Sequence, residues 1–145
     1  MDGKHDLIIT RDFDLPVEIL FKAYVEPEIV EQWMGTKVEK LESKIHGCYR
    51  FLTPDGKGNN IGFNGTIHDF VHNERITRTF EMENSPFPVQ LEFLKFSELP
   101  NARSHLEMHI VFKSVEDRDA MLKLPFAQGI NMAHNRLQEI LENHE

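Results

Sequence analysis

The sequence predicts an α+β fold in which a curved antiparallel sheet, two short helices and a long C-terminal helix enclose a cavity. Three observations predict it: apolar residues at helical spacing over 16–34, period-two alternation broken by turn signals over 36–113, and a helical apolar stripe over 126–141. The chain has 145 residues, the size of one ordinary domain. We therefore expect residues 1–145 to form a single domain.

The N-terminal third predicts a strand followed by a helical hairpin. Residues 6–13 have the composition of a strand. Proline is tolerated in the first turn of a helix, so Pro16 and Pro27 mark the starts of two helices, 16–25 and 27–34. Gly35 follows as a C-cap, because glycine adopts the left-handed conformation that commonly ends a helix.

Residues 36–113 predict about six strands joined by short turns, which favours an antiparallel meander. A turn at His72-Asn73 would place Ile67 opposite Arg78 and Asp69 opposite Ile76. One face of this hairpin is then mainly apolar and the other polar, as expected of a sheet with one wet side. We assign to the buried face, on this hairpin and the strands after it, the residues Phe63, Ile67, Asp69, Arg78, Phe80, Leu91, Phe93 and Met108.

The C-terminal segment predicts two helical pieces. Ser114, with Asp117 three residues later, has the form of a capping box, and Pro125 should break or kink the helix that follows. Beyond it, one apolar stripe comprises Phe126, Ile130, Ala133, Leu137, Ile140 and Leu141. A single helix covers a twisted six-stranded sheet incompletely, so we expect a cavity between them.

Composition disfavours several classes of function. The net charge of −8, from 16 basic and 24 acidic residues, opposes binding to nucleic acid or anionic lipid. The N-terminal segment lacks the apolar region of a signal peptide and no long apolar run follows, so we expect a cytoplasmic protein with no membrane insertion. With Cys48 as the single cysteine, an internal disulfide and a thiolate metal cage are excluded.

No cofactor or metal is predicted either. Motifs for nucleotide phosphates, dinucleotides, a zinc protease or a nucleophile elbow do not occur in the sequence. His105 and His109 would lie about 13 Å apart along one strand, too far to share an ion. We also predict no catalytic set.

The order of several short segments over 8–141 resembles a known family, the helix-grip superfamily of START proteins, pollen allergens and polyketide cyclases. The resemblance is to the branch named after the activator of the heat-shock protein 90 ATPase. The segments that carry it are 11–17 with Phe21, 27–28, 32–35, 47–51, 55–56, 65–70, 74–76, 79–80, 118–122, 129 and 136–137. Membership implies a cavity and no universal catalytic residue. The chain departs from the family pattern at Met34, His46, His72, Phe80 and Ile130, which fall on expected pocket walls and loops.

The candidate ligand-binding residues are those expected around the cavity. They are Trp33, Phe63, Ile67, Asp69, Arg78, Phe80, Leu91, Phe93, Met108, Phe126, Ile130 and His134. Arg78 and Asp69 form either a polar anchor for a ligand or a structural ion pair. Trp33 either lines the mouth of the cavity or anchors the packing of the helical hairpin. His134 is either a general acid or base, or a histidine at the flank of the cavity whose hydrogen bonds are already made.

Three functions remain open from the sequence. The first is a protein that binds a small apolar molecule, and the second is a cyclase- or hydrolase-like enzyme acting on an aromatic or ketide substrate. The third is a chaperone ATPase-activating cofactor, weakened because the sequence holds one module. Several convergent polar side chains in one pocket would favour catalysis, whereas one or two would favour binding. A homodimer is also left open.

Overall fold

A computed structural model describes residues 5–123 and 126–142, apart from the side chains of residues 126 and 127. Within these residues the chain forms seven strands and four helices, in the order that the sequence predicts. The strands are β1 (Asp6–Phe13), β2 (Lys37–Leu41), β3 (Cys48–Pro54), β4 (Asn60–Val71), β5 (Arg75–Met82), β6 (Gln90–Leu99) and β7 (Arg103–Val111). The helices are α1 (Val17–Val25), α2 (Pro27–Met34), α3 (Val115–Leu122) and α4 (Phe126–Glu142).

All seven strands form one antiparallel sheet in the order β1-β7-β6-β5-β4-β3-β2. Strands β2 to β7 are a meander, as predicted, and β1 pairs with β7 to extend it. The curved sheet holds α4 against its inner face, which is the helix-grip fold. None of the helices in the described part of the chain is long and apolar enough to cross a membrane.

Local signals in the sequence set three ends of two helices, α2 and α3. Pro27 begins α2, and Gly35 ends it in the left-handed conformation at φ 62°. The Ser114 side chain accepts a hydrogen bond from the Asp117 amide at 3.1 Å, so the predicted cap begins α3. The predicted break at Pro125 lies outside the described residues.

The β4–β5 hairpin corrects one predicted site residue. Ile67 lies opposite Arg78, as predicted, but Asp69 lies opposite Thr77 because the loop spans 72–74 and a bulge between Ile67 and Asp69 absorbs the extra residue. The bulge turns Asp69 to the outer face. There it accepts a hydrogen bond from Arg75 at 2.5 Å and has no part in holding Arg78.

Strand β6 corrects two more site residues. Its buried residues are Gln90, Glu92, Leu94 and Phe96, so Leu91 and Phe93 lie on the outer face. The prediction was wrong because β6 has apolar residues on both faces, and the alternation alone does not choose between them. Burying Phe93 would turn Leu94 and Phe96 out of the core, and it would separate Glu92 from Arg78, its cross-strand neighbour.

Two apolar clusters anchor the helices on the sheet. Leu137 and Leu141 of α4 join the main core with Phe21 of α1 and Trp33 of α2. Met121 of α3 belongs to a second cluster, with Ile110 and Phe112. The helices are therefore held at several points, and a space remains between α4 and the central strands.

Gly65 is a point of close approach between strands. A Cβ atom there would lie 1.9 Å from the Thr79 carbonyl oxygen and 2.6 Å from the Tyr49 hydroxyl. Tyr49 donates a hydrogen bond to the same carbonyl at 2.5 Å. The side chain closest to this position is that of Tyr49.

Candidate functional site

A pocket of about 370 Å³ lies between the inner face of the sheet and α4. Each of β3 to β7 contributes to its walls, α1 and α2 close one flank, and α4 covers it. The lining residues are Tyr24, Trp33, Met34, Thr36, Phe51, Thr53, Phe63, Arg78, Phe80, Gln90, Glu92, Met108, Ile110, Gly129, Ile130, Ala133 and His134. Because Gly129 is exposed as well as lining, the pocket reaches the surface beside the first turns of α4.

One wall of the pocket is aromatic. The rings of Phe63 and Phe80 stack at 5.3 Å between centroids with an angle of 23° between their planes. Met108 and Ile130 also contribute apolar surface from β7 and α4. Such a wall suits a flat apolar molecule.

The sheet side of the pocket holds a buried polar cluster. Arg78, 5% exposed, donates through Nε to Glu92 Oε1 at 3.0 Å. Gln90 donates through Nε2 to Glu92 Oε2 at 3.0 Å, so both carboxylate oxygens are satisfied. The Arg78 guanidinium also lies over the ring of Tyr49, with 5.1 Å from Cζ to the centroid.

The charge state of this cluster follows from its surroundings. Burial disfavours the Arg78 cation, but Tyr49, Glu92 and Tyr24 outweigh that effect and raise the guanidinium pKa. Burial raises the pKa values of Tyr24 and Tyr49 well above the usual tyrosine value. Arg78 is therefore charged and both phenols are protonated at neutral pH.

The helical flank carries a second polar pair. Tyr24 Oη and His134 Nε2 are hydrogen-bonded at 2.9 Å, and His134 is 3% exposed. Burial, reinforced by the positive charge of Arg11, lowers the pKa of His134 to about 4. The imidazole is therefore neutral at pH 7.

Hydrogen bonds from two arginines help to fix the position of α4 over the pocket. Arg11 of β1 donates to the Asn131 and Asn135 side chains at 2.9 and 2.7 Å. Arg136 donates to the Trp33 carbonyl at 3.0 Å, which ties α4 to α2. Trp33 in turn donates through Nε1 to the Ala23 carbonyl at 2.7 Å, so its ring is held against the flank of the pocket.

The structure brings together seven of the twelve predicted site residues around the pocket. These seven are Trp33, Phe63, Arg78, Phe80, Met108, Ile130 and His134. Ile67 faces inward but lies in the core, away from the pocket lining. Asp69, Leu91 and Phe93 lie on the outer face, and the Phe126 side chain is outside the described part of the chain.

The sequence reasoning missed the polar partners of the pocket. The sequence does hold a signal for Glu92, since a buried arginine requires an acidic partner and Asp69 and Glu92 are the acids nearest to Arg78 on the two neighbouring strands. Tyr24 lies among the buried apolar residues of α1, and nothing local in the sequence indicates that its hydroxyl has a partner on α4. In the described residues no three His, Cys, Asp or Glu side chains are grouped as a metal site would require.

Solved structures resemble this fold along nearly the whole chain. A protein from Rhodobacter sphaeroides has a TM-score of 0.88 at 19% identity, covering 99% of this chain and 97% of that one. Protein Ms6760 from Mycobacterium smegmatis has a TM-score of 0.85 at 19% identity, covering 97% and 96%. Protein NE0264 from Nitrosomonas europaea has 0.85 at 16%, covering 99% and 97%. At these identities the likeness concerns the fold alone.

Sequence comparison adds the family. No curated protein matches the chain. A family model does match, that of the "Activator of Hsp90 ATPase homolog 1-like protein", over residues 14–142. With this match covering most of its length and the helix-grip fold around its pocket, the chain belongs to the activator of Hsp90 ATPase homolog 1-like family.

Proposed function

We propose that this protein binds a small, mainly apolar molecule in the pocket between the sheet and α4. The observation that carries the proposal is the pocket of about 370 Å³, lined by stacked aromatic and aliphatic side chains and reaching the surface beside Gly129. Its volume lies at the lower end of the range of small-molecule sites. Its polar side chains are hydrogen-bonded to one another, in the cluster of Arg78, Glu92 and Gln90 and in the pairs Tyr24–His134 and Thr36–Thr53, which favours binding over catalysis.

A ligand screen with a matched pair of Gly129 variants tests the proposal. A Cβ at Gly129 meets no atom within 4 Å, so a large side chain can be added there without a steric clash at its base. Gly129→Trp should block the mouth of the pocket, whereas Gly129→Ala should leave it open. Phe93→Arg serves as a surface control, because Phe93 is 39% exposed on the outer face.

The assay is a thermal-shift screen with fatty acids, flavonoids and ketide-like aromatics. A ligand selective for the folded state stabilises it by RT ln(1 + [L]/Kd), about 2.7 kcal/mol at a hundredfold excess over Kd, which raises Tm by several degrees. The wild type, Gly129→Ala and Phe93→Arg should respond alike, and Gly129→Trp should not respond. The proposal fails if no compound shifts the wild type, or if Gly129→Trp responds equally.

A specific observation keeps an enzymatic role as the second candidate. Among the described residues seven polar side chains line the pocket, more than a simple binding site requires, and one of them, a neutral His134, is hydrogen-bonded to Tyr24. A neutral imidazole is competent as a general base. The enzymatic role would be supported if the protein turns over an aromatic ester or ketide substrate and His134→Gln lowers that turnover at least a hundredfold while still binding the substrate. If no substrate is turned over, the enzymatic candidate fails and the binding function stands. The family name also raises the chaperone cofactor, for which ATPase stimulation is the test.

A further inference from the structure

We infer that the pocket selects an uncharged ligand whose carbonyl-type oxygen accepts hydrogen bonds from Arg78, and that it discriminates against carboxylates. This inference rests on the proposed function and specifies the ligand class of the same pocket. The inference is based on Arg78, whose positive charge is compensated by Glu92 but whose remaining N–H donors are free on the side of the pocket.

The buried cluster has no net charge to offer a ligand. The side chains of Arg78 and Glu92 are 7% and 6% exposed and form a salt bridge with each other. Among the described lining residues Arg78 is the single permanent cation, and His134 is neutral at pH 7. A bound carboxylate would be a second anion, after Glu92, beside the single Arg78 guanidinium. It would lose its hydration in a site shielded from water, and no free positive charge would compensate for that loss.

The cluster does have hydrogen bonds to offer, and they are mainly donors. Arg78 uses Nε for Glu92, and neither Nη1 nor Nη2 donates to another described residue. In the described residues, Asn73 Oδ1 is the one side-chain N or O atom that is shielded from solvent and lacks a hydrogen-bond partner, so the Arg78 Nη atoms are not shielded in this way. The Nη atoms are therefore accessible from the pocket that Arg78 lines.

Gln90 makes the acceptor side of the cluster weaker than its donor side. An ionised carboxylate only accepts, so Gln90 must turn its nitrogen toward Glu92, which leaves one amide oxygen as the free acceptor. Both Glu92 oxygens already have partners. An ammonium ligand would meet the Arg78 charge with little to bind it, whereas a ketone, ester or amide oxygen meets the free guanidinium donors.

The aromatic wall fixes the remainder of the ligand. The stack of Phe63 on Phe80 presents a flat surface, and Arg78 lies two positions before Phe80 on β5, on the same inner face. A molecule that places a ring against this wall can direct its oxygen toward Arg78. The ligand class is therefore an aromatic or alicyclic ketone, ester or amide.

Four naphthalene probes with one ring system test this inference by isothermal titration calorimetry at pH 7. They are 2-acetonaphthone, 2-ethylnaphthalene, 2-naphthoate and 2-naphthylmethylammonium. In the wild type, 2-acetonaphthone should bind about tenfold tighter than 2-ethylnaphthalene, the effect of a hydrogen bond to a charged group, and about tenfold or more tighter than both ions. Gly129→Trp should abolish all binding.

Two variants separate charge compensation from hydrogen bonding. Glu92→Gln keeps an acceptor for Arg78 Nε but removes the compensating charge, so 2-naphthoate should gain at least tenfold relative to 2-acetonaphthone. The double variant Arg78→Met/Glu92→Met removes the pair together and avoids an unpaired buried charge. In it, 2-acetonaphthone and 2-ethylnaphthalene should bind equally.

The outcomes distinguish this inference from the proposed function. Wild-type binding of 2-naphthoate as tight as that of 2-acetonaphthone would overturn the inference and leave the binding function standing. Equal affinity of 2-acetonaphthone and 2-ethylnaphthalene in the wild type would do the same. If no probe binds and the wider screen is also negative, the proposed function fails and the inference fails with it.

Discussion

Protonation of His134 should destabilise the protein as the pH falls from neutral to mildly acidic. His134 is buried against Tyr24, Trp33 and Phe13, with Arg11 as the charged group that lowers its pKa. Its pKa is about 4 in the folded state, against 6.5 for an ordinary histidine. Between these values the unfolded chain binds the proton and the folded chain does not, so stability declines as the pH decreases.

The size of the effect follows from the same two values. The full difference between the two pKa values corresponds to a loss of about 3 kcal/mol in the free energy of unfolding. Of this loss, about 2 kcal/mol falls between pH 7 and pH 5. A second group acts in a lower window: hydrogen bonds from Arg50 and Asn64 lower the pKa of Glu83 to about 2, so its contribution is lost only below about pH 4.5. Measurements at pH 7 and pH 5 therefore avoid the window of Glu83.

Urea unfolding of the wild type and His134→Gln at these two pH values is the assay. Glutamine retains a polar group for Tyr24 but does not titrate, so the variant should lose about 2 kcal/mol less than the wild type between pH 7 and pH 5. His68→Gln is the control, because His68 is exposed on β4, and it should behave as the wild type. An equal loss in the wild type and His134→Gln would refute the reasoning.

Two further predictions concern stability, each measured by urea unfolding. Gly65→Ala should cost at least about 3 kcal/mol because its Cβ would lie 1.9 Å from a backbone oxygen, whereas Gly129→Ala, facing open space in α4, should gain about 0.5–1 kcal/mol; equal effects would contradict the strand contact. Arg78→Met should cost about 3–5 kcal/mol by leaving Glu92 unpaired, and Arg78→Met/Glu92→Met should recover most of that loss. A double variant as unstable as the single one would show that the pair is not the cause.

The fold was largely predictable because its signals are local. Pro27, Gly35 and Ser114 each act within a few residues, and the alternation on β4 and β5 is unambiguous over most of the hairpin. The register failed only near the turn, at Asp69. The sequence at this turn is compatible with a loop of two residues or of three. The chain forms the three-residue loop, and the bulge in β4 compensates for the extra loop residue.

The pocket was less predictable because it depends on contacts between distant segments. On β6, either Leu91 and Phe93 or Leu94 and Phe96 can form the buried face. Leu94 and Phe96 are the buried pair because they pack in the core beneath α1. The result buries Glu92, which local patterning places on the surface. The pairing of Tyr24 with His134 joins residues 110 positions apart, and no local pattern encodes it.

The occupancy of the pocket by a small molecule is most directly tested with methyl-labelled methionine. Met34 and Met108 line the pocket, whereas Met121 lies in the cluster beneath α3 and Met132 is 58% exposed. In carbon–proton spectra, saturating 2-acetonaphthone or 2-ethylnaphthalene should shift the methyl signals of Met34 and Met108 through the ring current of the bound naphthalene. The signals of Met121 and Met132 should stay in place. Shifts confined to Met121 or Met132, or no shift with either probe, would contradict binding in the pocket between the sheet and α4.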